Sequence, residues 1–149
     1  MTKPIVTILC VEDDDVDFWA LERAFEQKEI NVSLLRASTP EMASSILKGT
    51  DSGAAISNPY IILLDINLPG YNGIDFLREL RKDPELKTSI VFALSTSSNP
   101  KDIREAYELN VAGYFLKETN DEAFNTVLSF IEPYLNCVQF PDPTERLDS

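Results

Sequence analysis

The residues of this chain best suited to chemistry are carboxylates, hydroxyls and one lysine, set at wide intervals. Glu12, Asp13, Asp14 and Asp15 close one apolar run and Asp65 closes another. The hydroxyls Ser95, Thr96, Ser97 and Ser98 follow a third, and Lys117 follows a fourth. Two carboxylates about 4 Å apart repel by ~4 kcal/mol at an effective dielectric of roughly 20. If these groups meet, a cation is expected among them. Clustered oxygen ligands suit Mg2+, which keeps several waters and takes carboxylates together with phosphate oxygens. Asp13 and Asp65 are the expected direct ligands, with Glu12 assisting directly or through water. Asp65 then has the setting of a covalent nucleophile of the aspartyl-phosphate kind, with the cation offsetting its repulsion of an incoming phosphate. Lys117 is expected to pair with one phosphate oxygen, and a hydroxyl such as Ser95 to hydrogen-bond another.

Taken singly, each residue has a blander explanation. An acidic run that opens a helix complements the helix dipole and caps free amides, as Asp14 and Asp15 would. Asp65 could be a turn former, the hydroxyl run a loop and helix cap, and Lys117 a surface charge. Their joint placement after separate apolar runs is what the blander explanation does not predict.

Elements of a particular kind must bring them together. Short apolar runs occupy 5–11, 32–37, 60–64, 90–94 and 113–116, bounded by polar or turn residues, as strands buried on both faces are. Between them lie stripes of helical period. Phe18, Leu21 and Phe25 form the first; Met42, Ala43, Ile46 and Leu47 form the second, before Gly49. Ile74, Leu77 and Leu80 follow Asn72 and Gly73. Asn99 and Pro100 read as the cap and first turn of a helix whose face is Ile103, Ala106 and Tyr107. Phe124, Val127, Leu128 and Ile131 mark a fifth helix, expected to end at Pro133. This alternation predicts an α/β fold: a doubly wound, five-stranded parallel sheet with five helices. Ligands of such sheets sit beyond the carboxyl ends of the strands, where the strand order reverses. Each candidate residue stands at such an end.

The chain has 149 residues, 44% hydrophobic and 26% charged, the range of one globular domain. Thirteen Lys and Arg against 25 Asp and Glu leave a net charge of −12. That field repels phosphate polymers and anionic membrane, so no nucleic acid and no membrane are expected as partners. Most of the acidity also serves solubility. With no histidine, Ser–His–Asp chemistry and an internal phosphohistidine are excluded. Cys10 lies in an apolar run and reads as a small core residue. No apolar run approaches the ~18–20 residues of a membrane span and no signal peptide is evident, so a cytoplasmic location is expected. Residues 48–58 read as an exposed loop, and residues 132–149 as a tail beyond a domain spanning 1–131.

Three segments carry a family resemblance. Residues 8–14, Ile-Leu-Cys-Val-Glu-Asp-Asp, resemble the acidic opening of response regulator receiver domains. Residues 63–73, Leu-Leu-Asp-Ile-Asn-Leu-Pro-Gly-Tyr-Asn-Gly, are similar to the family's phosphoacceptor segment. Residues 112–117, Ala-Gly-Tyr-Phe-Leu-Lys, resemble its last strand and terminal lysine. The resemblance spans roughly 5–131 and implies the flavodoxin-like, CheY-like receiver fold. It further implies Asp65 as phosphoacceptor, Glu12 and Asp13 as the acidic pair, and the Asn67 carbonyl as a further Mg2+ ligand. Counting back from Lys117, it implies Ser95 as the switch hydroxyl, with Thr96 the alternative one residue on, and Tyr114 as the aromatic that reorients with it. Receivers usually follow the lysine with a proline in a cis peptide; here Glu118 follows, and a cis bond before it would cost about 2.5–4 kcal/mol.

What the resemblance implies of function is a single-domain regulator in a two-component phosphorelay. A sensor histidine kinase or phosphotransfer protein would donate the phosphoryl group. With no output domain following, the signal is expected to pass by binding a downstream protein. The chain would be no enzyme beyond assisting its own phosphorylation and dephosphorylation. The loop before the third strand and the 134–141 tail, with its apolar 134–140 segment, look like those of small phytochrome-associated regulators. That segment is expected either to pack on its own domain or to serve as an arm for a homodimer or kinase contact. The main alternative is a pseudo-receiver, the same fold acting as an unphosphorylated binding module. A haloacid-dehalogenase-like phosphatase would want a second Asp where Asn67 stands, and a flavin carrier would not place acids in its first loop.

Overall fold

The structure, a computed structural model, describes residues 5–50, 56–68, 70–117 and 124–141. The middle of the 48–58 loop, the Lys117–Glu118 peptide and the tail beyond 141 lie outside the described residues. In chain order the elements are β1 (Val6–Val11), α1 (Asp15–Gln27), β2 (Val32–Ala37), α2 (Pro40–Lys48) and β3 (Tyr60–Asp65). They continue with β4 (Asn67–Leu68), β5 (Tyr71–Asn72), α3 (Gly73–Lys82), β6 (Ile90–Ser95), α4 (Pro100–Glu108), β7 (Gly113–Leu116) and α5 (Asn125–Cys137).

Five strands make one sheet in the order β2-β1-β3-β6-β7, every neighbouring pair parallel. The doubly wound α/β expectation holds. β4 and β5 form a two-residue antiparallel ribbon after β3 that the hydrophobic pattern did not announce. The inner strands β1, β3 and β6 are apolar and buried almost throughout, because helices cover both sheet faces. One apolar cluster joins Leu9, Ile62, Leu64 and Val91 to α2 and α3 through Leu47, Ile74 and Leu77. The other joins Ile8, Leu63, Phe92 and Leu94 to α1 and α5 through Leu21, Phe25, Leu128 and Ile131. Cys10 is buried in the second cluster as a small core residue. The outer strands β2 and β7 are only half-buried, since each has a neighbour on one side alone.

Helix starts follow the local chemistry. Asp14 Oδ1 accepts from the Asp17 amide at 3.1 Å, Thr39 Oγ1 from Met42 at 3.1 Å, and Asn72 Oδ1 from Ile74 at 2.9 Å. Asn99 caps α4 with Pro100 in its first turn, as its sequence suggests. One boundary is corrected: α5 does not end at Pro133 but runs on to Cys137 with the proline inside it. A proline interior to a helix costs about 3 kcal/mol. Packing past it offsets that cost. Tyr134 meets Phe92 edge-on at 5.1 Å and Phe130 at 5.7 Å, and Phe140 folds back to 6.3 Å from Tyr134. Such aromatic pairs contribute about 0.5–1.5 kcal/mol each beyond their burial. Residues 134, 135 and 140 thus pack on their own domain.

Candidate functional site

Register places the chemical groups. β1 pairs with β3 so that Val11 faces Leu64, which sets Glu12 level with Asp65. β3 pairs with β6 so that Asp65 faces Leu94, and β6 with β7 so that Ser95 faces Leu116. Lys117 donates its backbone amide to the Ser95 carbonyl at 2.7 Å, carrying the ladder one residue past the strand. β1 lies between β2 and β3, so the strand order reverses there and the site forms at the carboxyl end of that seam.

Glu12, Asp13 and Asp65 each offer a carboxylate oxygen, all within 4.8 Å of one another. Glu12 and Asp65 are buried. The Lys117 side chain, 7% exposed, reaches Asp65 Oδ2 at 2.7 Å and Asp17 Oδ2 at 3.1 Å, and also donates to Glu12 Oε1. Burial drives the Glu12 carboxyl up to about 7; the Asp65 charge adds to the rise, and the hydrogen bond from Lys117 opposes it. Burial alone would lower the Lys117 pKa, but hydrogen bonds and charge from Asp65 and Glu12 outweigh it and hold the ammonium above the ordinary lysine value. Glu12, Asp13, Asp17 and Asp65 gather around the one ammonium of Lys117, an excess of carboxylate that a divalent ion would offset. The donors are hard oxygens, the chemistry Mg2+ takes, so the residues present fit that ion.

The other sequence candidates gather around this cluster. Asn67 lines the cleft; its amide donates to Asp65 Oδ1 at 3.0 Å and its side chain donates to Ser95 Oγ at 2.6 Å. Ser95 is fully buried and also accepts from the Ser97 amide at 2.9 Å. Thr96 is exposed and lines the cleft itself. Tyr114 does not touch the carboxylates; its hydroxyl donates to the Ser97 carbonyl at 2.9 Å, tying β7 to the loop after β6.

Three residues at the site carry no clear mark in the sequence. Asp17 is a third acid on Lys117, hidden in a run of acids on α1. Gly73 opens α3 against the end of β3, where a Cβ would lie 2.6 Å from the Asp65 carbonyl oxygen and 2.7 Å from Ile66 Cα. Arg36 donates Nε to the Glu12 carbonyl and Nη2 to the Asp13 carbonyl, both at 3.0 Å. Its Nη1 pairs with Asp15 at 2.7 Å and its guanidinium lies 5.2 Å over the Phe18 ring. The one signal for Arg36 is the period-2 alternation Val32, Leu34, Arg36, which puts it on the α1 face of β2.

A doubly wound sheet with an acidic cluster, an aspartate and a lysine at its switch point defines a receiver-type signalling domain. The response regulator receiver domain model matches residues 8–129, and the chain belongs to that family. It is 30% identical over 141 residues to response regulator Rcp1 of Synechocystis sp. (strain ATCC 27184 / PCC 6803 / Kazusa), covering 94% of this chain and 96% of that relative. Its fold is similar to the phosphorylated cyanobacterial phytochrome response regulator RcpA, with TM-score 0.83 and 31% identity over 93% of this chain and 100% of RcpA. The Mn2+-bound form of Rcp1 follows at TM-score 0.80 and 32% identity, covering 93% of this chain and 100% of that one. Receiver domains of this family are signalling proteins. No helix among the described residues is long and apolar enough to cross a membrane.

Proposed function

We propose that this protein is a single-domain response regulator that takes a phosphoryl group from a histidine kinase onto Asp65, with Mg2+, and signals by binding another protein. The observation that carries this reading is the Glu12, Asp13 and Asp65 oxygen cluster with Lys117 on the Asp65 carboxylate. The phosphorylated state of RcpA and the Mn2+-bound state of Rcp1 support it by similarity. An Asp65 oxygen attacks the phosphorus of a phosphohistidine, the P–N bond breaks, and the imidazole leaves with the electron pair. Glu12, Asp13, Asp65 and the Asn67 carbonyl would hold the ion, which when bound would neutralise charge on the transferring group. Lys117, already on Asp65, supplies a fixed positive charge for one phosphoryl oxygen. Ser95 supplies the switch hydroxyl; its side-chain contact with Asn67 sets it beside the acceptor segment. Tyr114, through the Ser97 carbonyl, couples that hydroxyl's loop to the α4–β7 surface, where a cytoplasmic partner reads the change.

The test is incubation of the full chain with Mg2+ and acetyl phosphate, read by intact mass. Uptake of one phosphoryl group, mapped to the peptide holding Asp65 and blocked by EDTA, is the expected result. No mass change would leave the pseudo-receiver reading, a binding module that is not phosphorylated.

Metal binding carries a pH signature. Glu12 sits near 7 in the folded protein and at the ordinary carboxylate value once unfolded, so the fold binds its proton more tightly. Its contribution to metal-free stability is therefore complete below the ordinary value and lost as pH rises through about 7. A divalent ion needs the ionised form and competes with that proton. At about 100 times its dissociation constant, Mg2+ should add ~2.7 kcal/mol, or roughly 5–10 °C in Tm for a chain this size. That gain is expected to be larger at pH 8 than at pH 6 in scanning calorimetry. Equal gains at the two pH values would contradict the placement of Glu12 at the metal.

A further inference from the structure

Resting on the metal reading above, we infer that Arg36 is the positioning residue of the acidic loop, aiming the Asp13 carboxylate at the cation without touching it. The guanidinium hydrogen-bonds the carbonyls of Glu12 and Asp13, which belong to the two peptide groups on either side of the Asp13 Cα. Peptide groups are planar. Pinning both planes that flank a residue therefore fixes its φ and ψ together, and with them the direction of its Cα–Cβ bond, from which the carboxylate starts. Arg36 is itself held from the far side by the Asp15 carboxylate and by the Phe18 ring beneath it.

The two cations at the site divide the work. Lys117 takes the carboxylates of Glu12, Asp17 and Asp65. Arg36 spends its donors on carbonyl oxygens and on Asp15, which is not in the metal cluster. It thereby relieves repulsion in the acidic run and leaves the Asp13 carboxylate to the ion. A guanidinium spreads its donors over three nitrogens in one plane, which lets it reach two successive carbonyls and a carboxylate on its other edge; a lysine ammonium carries the same charge with all its donors on one nitrogen.

Charge and geometry predict opposite outcomes. If Arg36 mattered only as a nearby positive charge, Arg36→Met would tighten Mg2+ binding and Arg36→Lys would leave it unchanged. If it positions the loop, both variants weaken Mg2+ binding, by about tenfold, the lower end of effects for residues that orient metal ligands. Calorimetric titration of the full-length protein with MgCl2 decides between them. Met keeps an apolar stem over Phe18, so the variant should fold, which a melting curve checks. A second readout needs no metal: amide hydrogen exchange of residues 12–14 in EDTA should quicken about tenfold in both variants, as expected when local hydrogen bonds are lost. Wild-type affinity in Arg36→Lys, tighter binding in Arg36→Met, or unchanged exchange would each overturn the inference. A wild-type protein that binds no Mg2+ would instead overturn the metal reading, and the exchange rates would then decide the clamp alone.

Discussion

Asp65→Asn is expected to lose phosphoryl uptake from acetyl phosphate by roughly 10³-fold or more, the scale seen when a covalent nucleophile is removed. An amide cannot form the acyl phosphate, while the rest of the site survives the change. The new amide oxygen can still accept from the Asn67 backbone amide that now bonds Asp65 Oδ1 at 3.0 Å. Lys117 keeps Glu12 and Asp17 as partners. One ion pair is lost and one repulsion with Glu12 is relieved, so stability should stay within about 1 kcal/mol of wild type. The variant also removes a charge that raises the Glu12 pKa, so metal-free stability should fall less steeply as pH rises through neutrality. Intact mass reads the first effect and calorimetry the others. A folded Asp65→Asn variant that labels as well as wild type would end the assignment of Asp65.

Gly73→Ala is expected to damage fold and site together. The added Cβ would lie 2.6 Å from the Asp65 carbonyl oxygen and 2.7 Å from Ile66 Cα. Both obstacles are backbone, so no rotamer change relieves them. Gly73 also donates its amide to the Ile66 carbonyl at 2.8 Å, locking α3 onto the end of β3. Either the helix withdraws or the Asp65 strand end moves. Forced overpacking of this kind costs about 1–3 kcal/mol, here toward the upper end, or roughly 6–12 °C in Tm. A shift of the acceptor by about 1 Å would slow phosphorylation by ~10²-fold even in the folded fraction. Melting temperature and labelling rate should therefore fall together. A variant that keeps both would show that the helix start has room the geometry denies it.

Much of the site is legible in the amino-acid sequence because strand ends are marked by composition. An apolar run that stops at an acid or a lysine places that residue at a sheet edge, and parallel winding puts those edges on one side. Glu12, Asp65 and Lys117 stand out in this way, and they meet. Ser95 is harder, since four hydroxyls follow one another; register separates buried Ser95 from Thr96 in the cleft. The proline rule misplaces the end of α5, because propensity weighs a residue without its neighbours and Tyr134 has three aromatic ones.

The order of residue types along the chain specifies the sheet, its winding and the candidate groups at its strand ends, because hydrophobic period and strand termini are local properties. Which residues hold those groups in place emerges only in the folded chain. Arg36 comes to Glu12 and Asp13 from another strand, Gly73 matters through a close approach of two backbones, and Asp17 reaches Lys117 across 100 residues of chain. Contacts of that kind depend on register and distance between elements, which no local pattern encodes.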